Sequence, residues 1–309
     1  MKKALLQMHL AVLLWGFTGV LGRAITLDAV VLVWYRMLFT AVFMAVILGY
    51  RKQWVPIARK DRKLLLVIGS LIAIHWVAFY GSIKLANASI ALVCLSTASI
   101  FTSLTEALLQ RKKPDGVEVG IGLLAIAGVA VMYSLPANHQ DAAVAVLPNR
   151  NLGIVLGVAA AAISAVFTVL NKRVANRYPA RTLVFYEMST GWLLICLFLP
   201  WHGYTSAVVH WLPLGWDWLW LLVLSLCCTV WAQSLALQAL KHISSFTSTL
   251  SVNLEPLYGI ALAFLFFQEN NELSTGFYLG MTLILLSVLW QMLRVLRPKN
   301  YIADKSGID

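Results

Sequence analysis

An acidic residue stands deep inside one of the chain's apolar stretches: Glu255, which is followed directly by Pro256. A carboxylate near the centre of a bilayer is costly, so it needs a partner, a cavity or a function. Proline removes a backbone donor, and a carboxylate beside a broken helix is suited to binding an ammonium group or a proton. We therefore expect Glu255, with the nearby Asn253, to contact a substrate, and Glu255 to take part in proton coupling.

Aromatic and polar residues in other apolar stretches are candidates for the same site. His75 and Trp76 are adjacent in the third stretch, Tyr80 follows about one turn later, and Trp231 and Gln233 lie in the eighth. Apolar walls with a few convergent polar groups are typical of a small-molecule site, and aromatic faces attract cations. His75 is the second candidate for proton coupling.

Hydroxyl groups complete the predicted substrate site: Ser96 and Ser99 in the fourth stretch and Thr168 in the sixth. The same residue types also join helices by hydrogen bonds, which is the alternative interpretation. The four cysteines lie inside apolar stretches without metal-ligand spacing, so we expect no disulfide, no metal site and no cofactor.

The composition indicates which elements must position these residues. Of the 309 residues, 60% are hydrophobic and 12% are charged, whereas a soluble domain has about 25% charged residues. A membrane helix needs about 20 mostly apolar residues. We predict an all-α polytopic membrane protein with ten transmembrane helices, over 4–22, 29–50, 63–83, 88–110, 117–134, 152–171, 182–200, 217–237, 244–267 and 274–296.

The net charge of +11 follows from membrane orientation. With the N-terminus in the cytoplasm, twenty of the 24 basic residues fall on the inner side and three on the outer side. This is a strong positive-inside signal. It predicts a multi-pass protein of the cell (inner) membrane with both termini cytoplasmic, and its partner is a lipid bilayer and not a nucleic acid.

Weak similarity between the two halves predicts an internal repeat, with residues 1–145 as one five-helix unit and 146–309 as the other. Lys84 and the stretch after it align with Lys241 at an offset of 157. An odd number of helices per unit makes the second repeat inverted relative to the first. Gly116-x-x-x-Gly120 and Gly276-x-x-x-Gly280 would let helices five and ten approach each other or a second protomer in a homodimer.

Three further ionisable residues lie nearer the ends of their helices: Arg36, Glu187 and Glu106. We interpret all three as structural. Arg36 would extend outward or bind carbonyl groups, and the two glutamates would meet the inner basic residues.

The chain resembles the EamA-type branch of the drug/metabolite transporter superfamily over nearly its whole length. The resemblance rests on Leu14-Trp15-Gly16-Phe17, on Tyr35-Arg36, and on the segment from Asn253-Leu254-Glu255-Pro256-Leu257 to Phe266-Phe267-Gln268-Glu269. In that family the last segment usually ends in Leu-Gly-Glu, and here Gln268 replaces the glycine. The resemblance implies a ten-helix carrier that exports amino acids or other small metabolites through a central cavity, with Trp15 opposite His75.

The leading hypothesis is a secondary transporter that works by alternating access and has a small molecule as its substrate. Efflux of drugs or lipophilic cations is the alternative within the same class. An intramembrane enzyme is a second alternative, but it would need paired catalytic groups at one depth, and no aspartate lies in a predicted helix interior. A channel would need a filter-like segment or a ring of charges. The sequence has no Gly-x-x-x-x-Gly-Lys-Ser/Thr motif for ATP.

Overall fold

The computed structural model describes residues 2–111, 113, 116–134, 149–205, 210–243, 245–252 and 254–296. Within these ranges every regular element is helical, as the sequence predicts. The α-helices are α1 (Lys2–Ala24), α2 (Ala29–Tyr50), α3 (Arg59–Leu85), α4 (Ala88–Leu95), α5 (Ala98–Leu109), α6 (Gly116–Ser134), α7 (Arg150–Ala175), α8 (Ala180–Thr205), α9 (Asp217–Ser225), α10 (Ala232–Leu240), α11 (Ser245–Val252), α12 (Glu255–Phe267) and α13 (Thr275–Leu296). A π-helical segment (Leu226–Trp231) joins α9 to α10, and a 3₁₀ segment (Glu269–Glu272) follows α12.

Polar side chains fix where α2 and α4 begin. The Asp28 carboxylate accepts hydrogen bonds from the backbone N–H groups of Val30 (2.7 Å) and Val31 (3.1 Å) at the start of α2. The Asn87 side chain accepts one from Ile90 (2.8 Å) at the start of α4. These caps satisfy donors that have no partner within the helix.

Within the described ranges, seven helical segments are long and apolar enough to cross a membrane, and three shorter apolar helices accompany them: Gly116–Val131, Glu255–Phe267 and Thr275–Ser287. Large apolar side chains remain exposed on the outside, among them Leu197 (77%) and Leu265 (74%). Helices that are apolar on both their inner and outer faces suit a bilayer. Ten membrane crossings and the inverted arrangement of the two units stay predictions.

Two spans are broken in the middle, at matching positions of the two halves. The α4/α5 pair runs over 88–95 and 98–109, and the α11/α12 pair over 245–252 and 255–267. The starts of both members agree at the predicted repeat offset of 157. Two residues with left-handed backbone conformation follow the same rule, since Arg111 has φ 54° and Gln268 has φ 53°. The EamA-type pattern has a glycine where this chain has Gln268. Glycine suits that position because it adopts the left-handed conformation without steric cost.

The helices that surround the centre come from both halves. Helix α3 packs against α7 and α8, α1 packs against α10 and α12, and α4 packs against α7 and α12. The crossing of α3 and α8 is close enough to need glycine: a Cβ on Gly191 would lie 2.6 Å from the carbonyl oxygen of Gly69. Side chains from both halves can therefore meet in one place.

Helices α6 and α13 pack on each other, as expected for spans five and ten. The close contact is made by Gly128, where a Cβ would lie 2.7 Å from the Gly280 carbonyl oxygen. Among the described residues, no atom lies within 4 Å of where a Cβ would stand on Gly116 or Gly120, so this pair does not make the contact. The predicted boundary between the units, at 145/146, falls outside the described residues.

Candidate functional site

A cavity of about 110 Å³ lies where helices of the two halves meet. Its walls are apolar and aromatic for the most part, with Trp15 on α1, Trp76 and Phe79 on α3, and Phe167 on α7. Polar side chains converge on it from seven helices: Thr18, Arg36, His75, Ser164, Thr168, Asn171, Gln233, Ser248 and Glu255. This combination has the character of a small-molecule site.

Glu255 is the acidic group of the cavity. It is the first residue of α12, is followed by the proline, and is 5% exposed. The N-terminal end of a helix favours a negative charge. The Thr18 hydroxyl lies 3.3 Å from its carboxyl group and 2.6 Å from the carbonyl oxygen of Trp15. A hydroxyl has a single hydrogen to donate, so the shorter bond leaves Glu255 with acceptor capacity toward the cavity.

Arg36 is the basic group, and it is 2% exposed. Its Nε donates to the Thr229 hydroxyl (2.9 Å) and one Nη donates to the Tyr80 hydroxyl (2.7 Å). The guanidinium carbon lies 3.7 Å from the ring centre of Trp76, which adds a cation–π contact. The interpretation that Arg36 extends outward is wrong, because these partners hold it in the interior.

The π-helical segment explains how groups of the eighth predicted span, 217–237, become hydrogen-bond acceptors for Arg36. Its wider turn presents the Thr229 hydroxyl and the Cys228 carbonyl oxygen (3.4 Å) to the guanidinium group. Single π turns inside α-helices often occur at functional sites. A guanidinium group has five N–H donors, so this arrangement leaves donors for a ligand.

His75 is 7% exposed and lies between the rings of Phe79 and Phe167, whose centres are 6.3 and 5.4 Å away. Its Nδ1 donates to the carbonyl oxygen of Ala160 (2.8 Å), since a carbonyl oxygen only accepts. This bond makes Nε2 the ring nitrogen that can accept a proton, and His75 is one of the residues that line the cavity.

Comparison with known proteins identifies the chain. A model of the EamA-like transporter family matches it twice, over residues 2–134 and 151–293. The chain belongs to the EamA-like transporter family. It is therefore a multi-pass membrane transporter of the drug/metabolite transporter superfamily, built from two repeats of this family.

A solved crystal structure shares the fold of this EamA-like transporter. The similarity has a TM-score of 0.65 and covers 96% of this chain and 99% of the other, at 19% sequence identity. At this identity the similarity concerns the fold alone. No curated protein matches the chain.

Six of the residues predicted for the site line the cavity of the EamA-like transporter. They are Trp15, His75, Trp76, Thr168, Gln233 and Glu255. His75 and Trp76, which are adjacent in α3, both contribute to its wall. Their roles in binding and in proton coupling stay predictions.

Other predicted residues lie elsewhere. Tyr80 is fully buried behind the wall and supports Arg36, while Ser96 and Ser99 are buried at the α4/α5 break and do not line the cavity. Trp231 is 57% exposed on the outside. It is two residues from Gln233, and helical residues at that spacing point in nearly opposite directions. Asn253 lies outside the described residues.

Sequence reasoning did not predict Arg36, Thr18 or Ser248 for the cavity wall. Thr18 is one helical turn after Trp15 and therefore lies on the same face of α1. This spacing is a signal from which Thr18 could have been predicted for the cavity wall. Arg36 gave no such signal, because its place in the cavity depends on the π-helical segment of another span.

Proposed function

We propose that this EamA-like transporter is a secondary carrier that exports small zwitterionic metabolites, amino acids above all, by alternating access through the central cavity. In this proposal Glu255 binds the substrate ammonium group and Arg36 binds its carboxylate. The protein lies in the cell (inner) membrane with both termini in the cytoplasm, which the positive-inside distribution of charge supports.

The observation that carries the proposal is the presence of an acidic and a basic side chain in one cavity. Glu255 and Arg36 both line the cavity and are close enough to interact electrostatically. A ligand with an ammonium and a carboxylate group would satisfy both, and charge-assisted hydrogen bonds of this kind are the strong ones. Trp15, Trp76 and Phe167 provide apolar surface for a side chain.

The size and charge of the cavity favour small metabolites over efflux of lipophilic cations. Pockets for drug-sized ligands have volumes of about 300–1,000 Å³, and this cavity has about 110 Å³. A cation would also meet the Arg36 guanidinium group. The aromatic rings and the carboxylate are the features that favour the alternative, so the two substrate classes belong in the same experiment.

The test is a release screen in cells that overproduce the protein, with amino acids and other metabolites measured in the medium. We expect overproduction to raise the release of a zwitterionic metabolite and Glu255→Gln to abolish the increase. Glu106→Gln is the matched control, because Glu106 is a glutamate of α5 that does not line the cavity. Release that persists in Glu255→Gln, at equal protein amounts, contradicts the proposal. Resistance to lipophilic cations without metabolite release would favour drug efflux.

A further inference from the structure

A second buried carboxyl group, Glu187 on α8, lies just behind the cavity wall. It is 0% exposed. Among the residues that the structure describes, neither of its oxygens has a hydrogen-bond partner of ordinary geometry. Its polar neighbours are the side-chain amides of Asn171 on α7 and Gln233 on α10, and both of these line the cavity. Its interpretation as a partner of inner basic residues is therefore wrong.

Charged groups on the surrounding helices are engaged elsewhere. Helices α2, α3 and α10 pack against α8. Arg36 is the charged residue of α2 and binds Thr229 and Tyr80, while α10 carries none. On α3, His75 binds the Ala160 carbonyl oxygen.

Helix α7, which carries Asn171, contributes Lys172, whose amino group donates to the carbonyl oxygens of Leu240 and Ile243. The other charged residues of these helices and of α8 itself lie in or next to their terminal turns: 59–63, 84, 150, 173, 181 and 202. Within the described part of the chain, none of these groups forms an ion pair with Glu187.

A carboxylate in this environment is unstable for a simple reason. Burial of a charge without a counter-ion or hydrogen bonds costs several kcal/mol, and a group so placed takes up a proton instead. Glu255 differs in its surroundings, because it lines the cavity at the N-terminal end of α12 and the nearby charge of Arg36 favours its ionised form. In the described part of the chain the Asn171 side-chain oxygen is also without a partner. A proton bound at Glu187 would therefore supply a donor among three acceptors, the two Glu187 oxygens and the Asn171 oxygen.

We propose that Glu187 is the proton-binding group through which this transporter couples export to a proton gradient, while Glu255 binds the substrate. The inference rests on the proposed function as a secondary carrier. One proton forms an O–H bond with the Glu187 carboxylate when the site is open to the acidic side. The bond breaks, and the proton leaves to water, when the site is open to the other side. The wall formed by Asn171 and Gln233 separates the group from the cavity and must move in this exchange.

Infrared spectroscopy tests the proton site without any substrate. Wild-type protein and three variants, Glu187→Gln, Glu255→Gln and Glu106→Gln, are reconstituted in vesicles of phosphatidylcholine and phosphatidylglycerol and titrated. We expect the difference between spectra at neutral and alkaline pH, in which the ester bands of the lipids cancel, to show the C=O stretching band of a protonated carboxyl group in the wild type. Glu187→Gln should remove that band, whereas Glu255→Gln and Glu106→Gln should keep it. A band that persists in Glu187→Gln, or is absent from the wild type, overturns the proposal.

Transport in the same vesicles tests coupling, with a mixture of radiolabelled proteinogenic amino acids as the probe. We expect a proton gradient to stimulate accumulation several-fold in the wild type and to have no effect in Glu187→Gln. Glu187→Gln should still exchange labelled for unlabelled amino acids, which shows that it is folded, and Glu187→Asp should recover part of the stimulation. Gradient stimulation that survives in Glu187→Gln overturns the inference. Absence of exchange in the wild type overturns the proposed function instead, and the infrared result then decides on the proton site alone.

Discussion

Three ionisable side chains in the interior of the protein differ in their surroundings. Arg36 has hydroxyl and carbonyl acceptors and an aromatic ring, and Glu255 lies near Arg36 at a helix N-terminus. Glu187 has two neighbouring amides and, among the described residues, no ion-pair partner. The roles that we propose follow these differences: Arg36 binds a carboxylate, Glu255 an ammonium group and Glu187 a proton.

Replacement of Arg36 by lysine tests the guanidinium geometry at constant charge. Lysine cannot reach Thr229 and Tyr80 with separate donors while it stacks on Trp76, so bonds to a charged group are lost. We expect binding to weaken by about 2 kcal/mol, roughly thirtyfold in the amino-acid concentration for half-maximal exchange in vesicles. Arg181→Lys, at a residue bound to Gln53 outside the cavity, should leave that concentration unchanged. Equal effects in both variants would argue against a specific role of Arg36.

Sequence reasoning predicts that Glu255 belongs to the substrate site, but it does not place Arg36 in the cavity or Glu187 behind its wall. An acidic residue next to proline in the middle of an apolar stretch is conspicuous by type and depth alone. Whether a residue nearer a helix end points to a cavity, to lipid or to another helix depends on helix rotation. For Arg36 that information lies in the π-helical segment of span eight, about 190 residues away along the chain.

At the scale of helices, the two broken spans are the strongest mark of the repeat. Helix α4 starts at the position equivalent to the start of α11 in the repeat, and α5 at the position equivalent to the start of α12. Arg111 and Gln268, which have left-handed backbone conformation, are equivalent as well. Pro256, at the start of α12, indicates in the sequence that the helix is broken before it. The break before α5 occurs at Ser96 and Thr97, and no proline marks it. The apolar stretches predict where the spans lie because length and hydropathy suffice for that.

Replacement of Gln268 by glycine tests the left-handed position directly. Glycine removes the steric cost of φ 53°, so we expect stabilisation by about 0.4–1 kcal/mol. Gln110→Gly is the matched control, because Gln110 ends α5 with φ −93° and gains nothing from glycine. Denaturation followed by tryptophan fluorescence in detergent measures both. A gain in the control that equals the gain at Gln268 contradicts the explanation.

At the scale of the whole molecule, polar contacts join the two halves at both ends of the helical bundle. At one end Glu269 accepts from Arg23 (2.5 Å) and from the backbone N–H of Ser89 (2.9 Å). At the other end Asp61 accepts from Arg177 (2.6 Å) and from the Tyr178 hydroxyl (2.7 Å). The bond to Asp61 raises the pKa of Tyr178, which keeps this phenol protonated as a donor. Alternating access requires one set of contacts to separate while the other holds.

Replacement of Glu269 by glutamine tests the first set. Glu269 is 0% exposed, and loss of one partner from a buried ion pair costs about 3–5 kcal/mol. We expect Glu269→Gln to lower the free energy of unfolding by an amount near the smaller of these two values, because Arg23 is partly exposed. Ser89→Ala removes a neutral donor, the Ser89 hydroxyl, which also donates to Glu269 (2.5 Å), and should cost about 1 kcal/mol. Melting in detergent compares the two, and a smaller effect of Glu269→Gln than of Ser89→Ala would contradict this view of the contact.

The π-helical segment makes span eight sensitive to length in a way that composition does not reveal. Leu226–Trp231 holds more residues per turn than an α-helix does. Deletion of one residue there would let the segment return to α-helical geometry, so the span would still cross the bilayer and the residues beyond would keep nearly the same facing. Gln233 would still line the cavity, but the wide turn that presents the Thr229 hydroxyl and the Cys228 carbonyl oxygen to Arg36 would be lost. A one-residue deletion in this segment would thus release Arg36 from its acceptors, with insertion into the membrane unaffected.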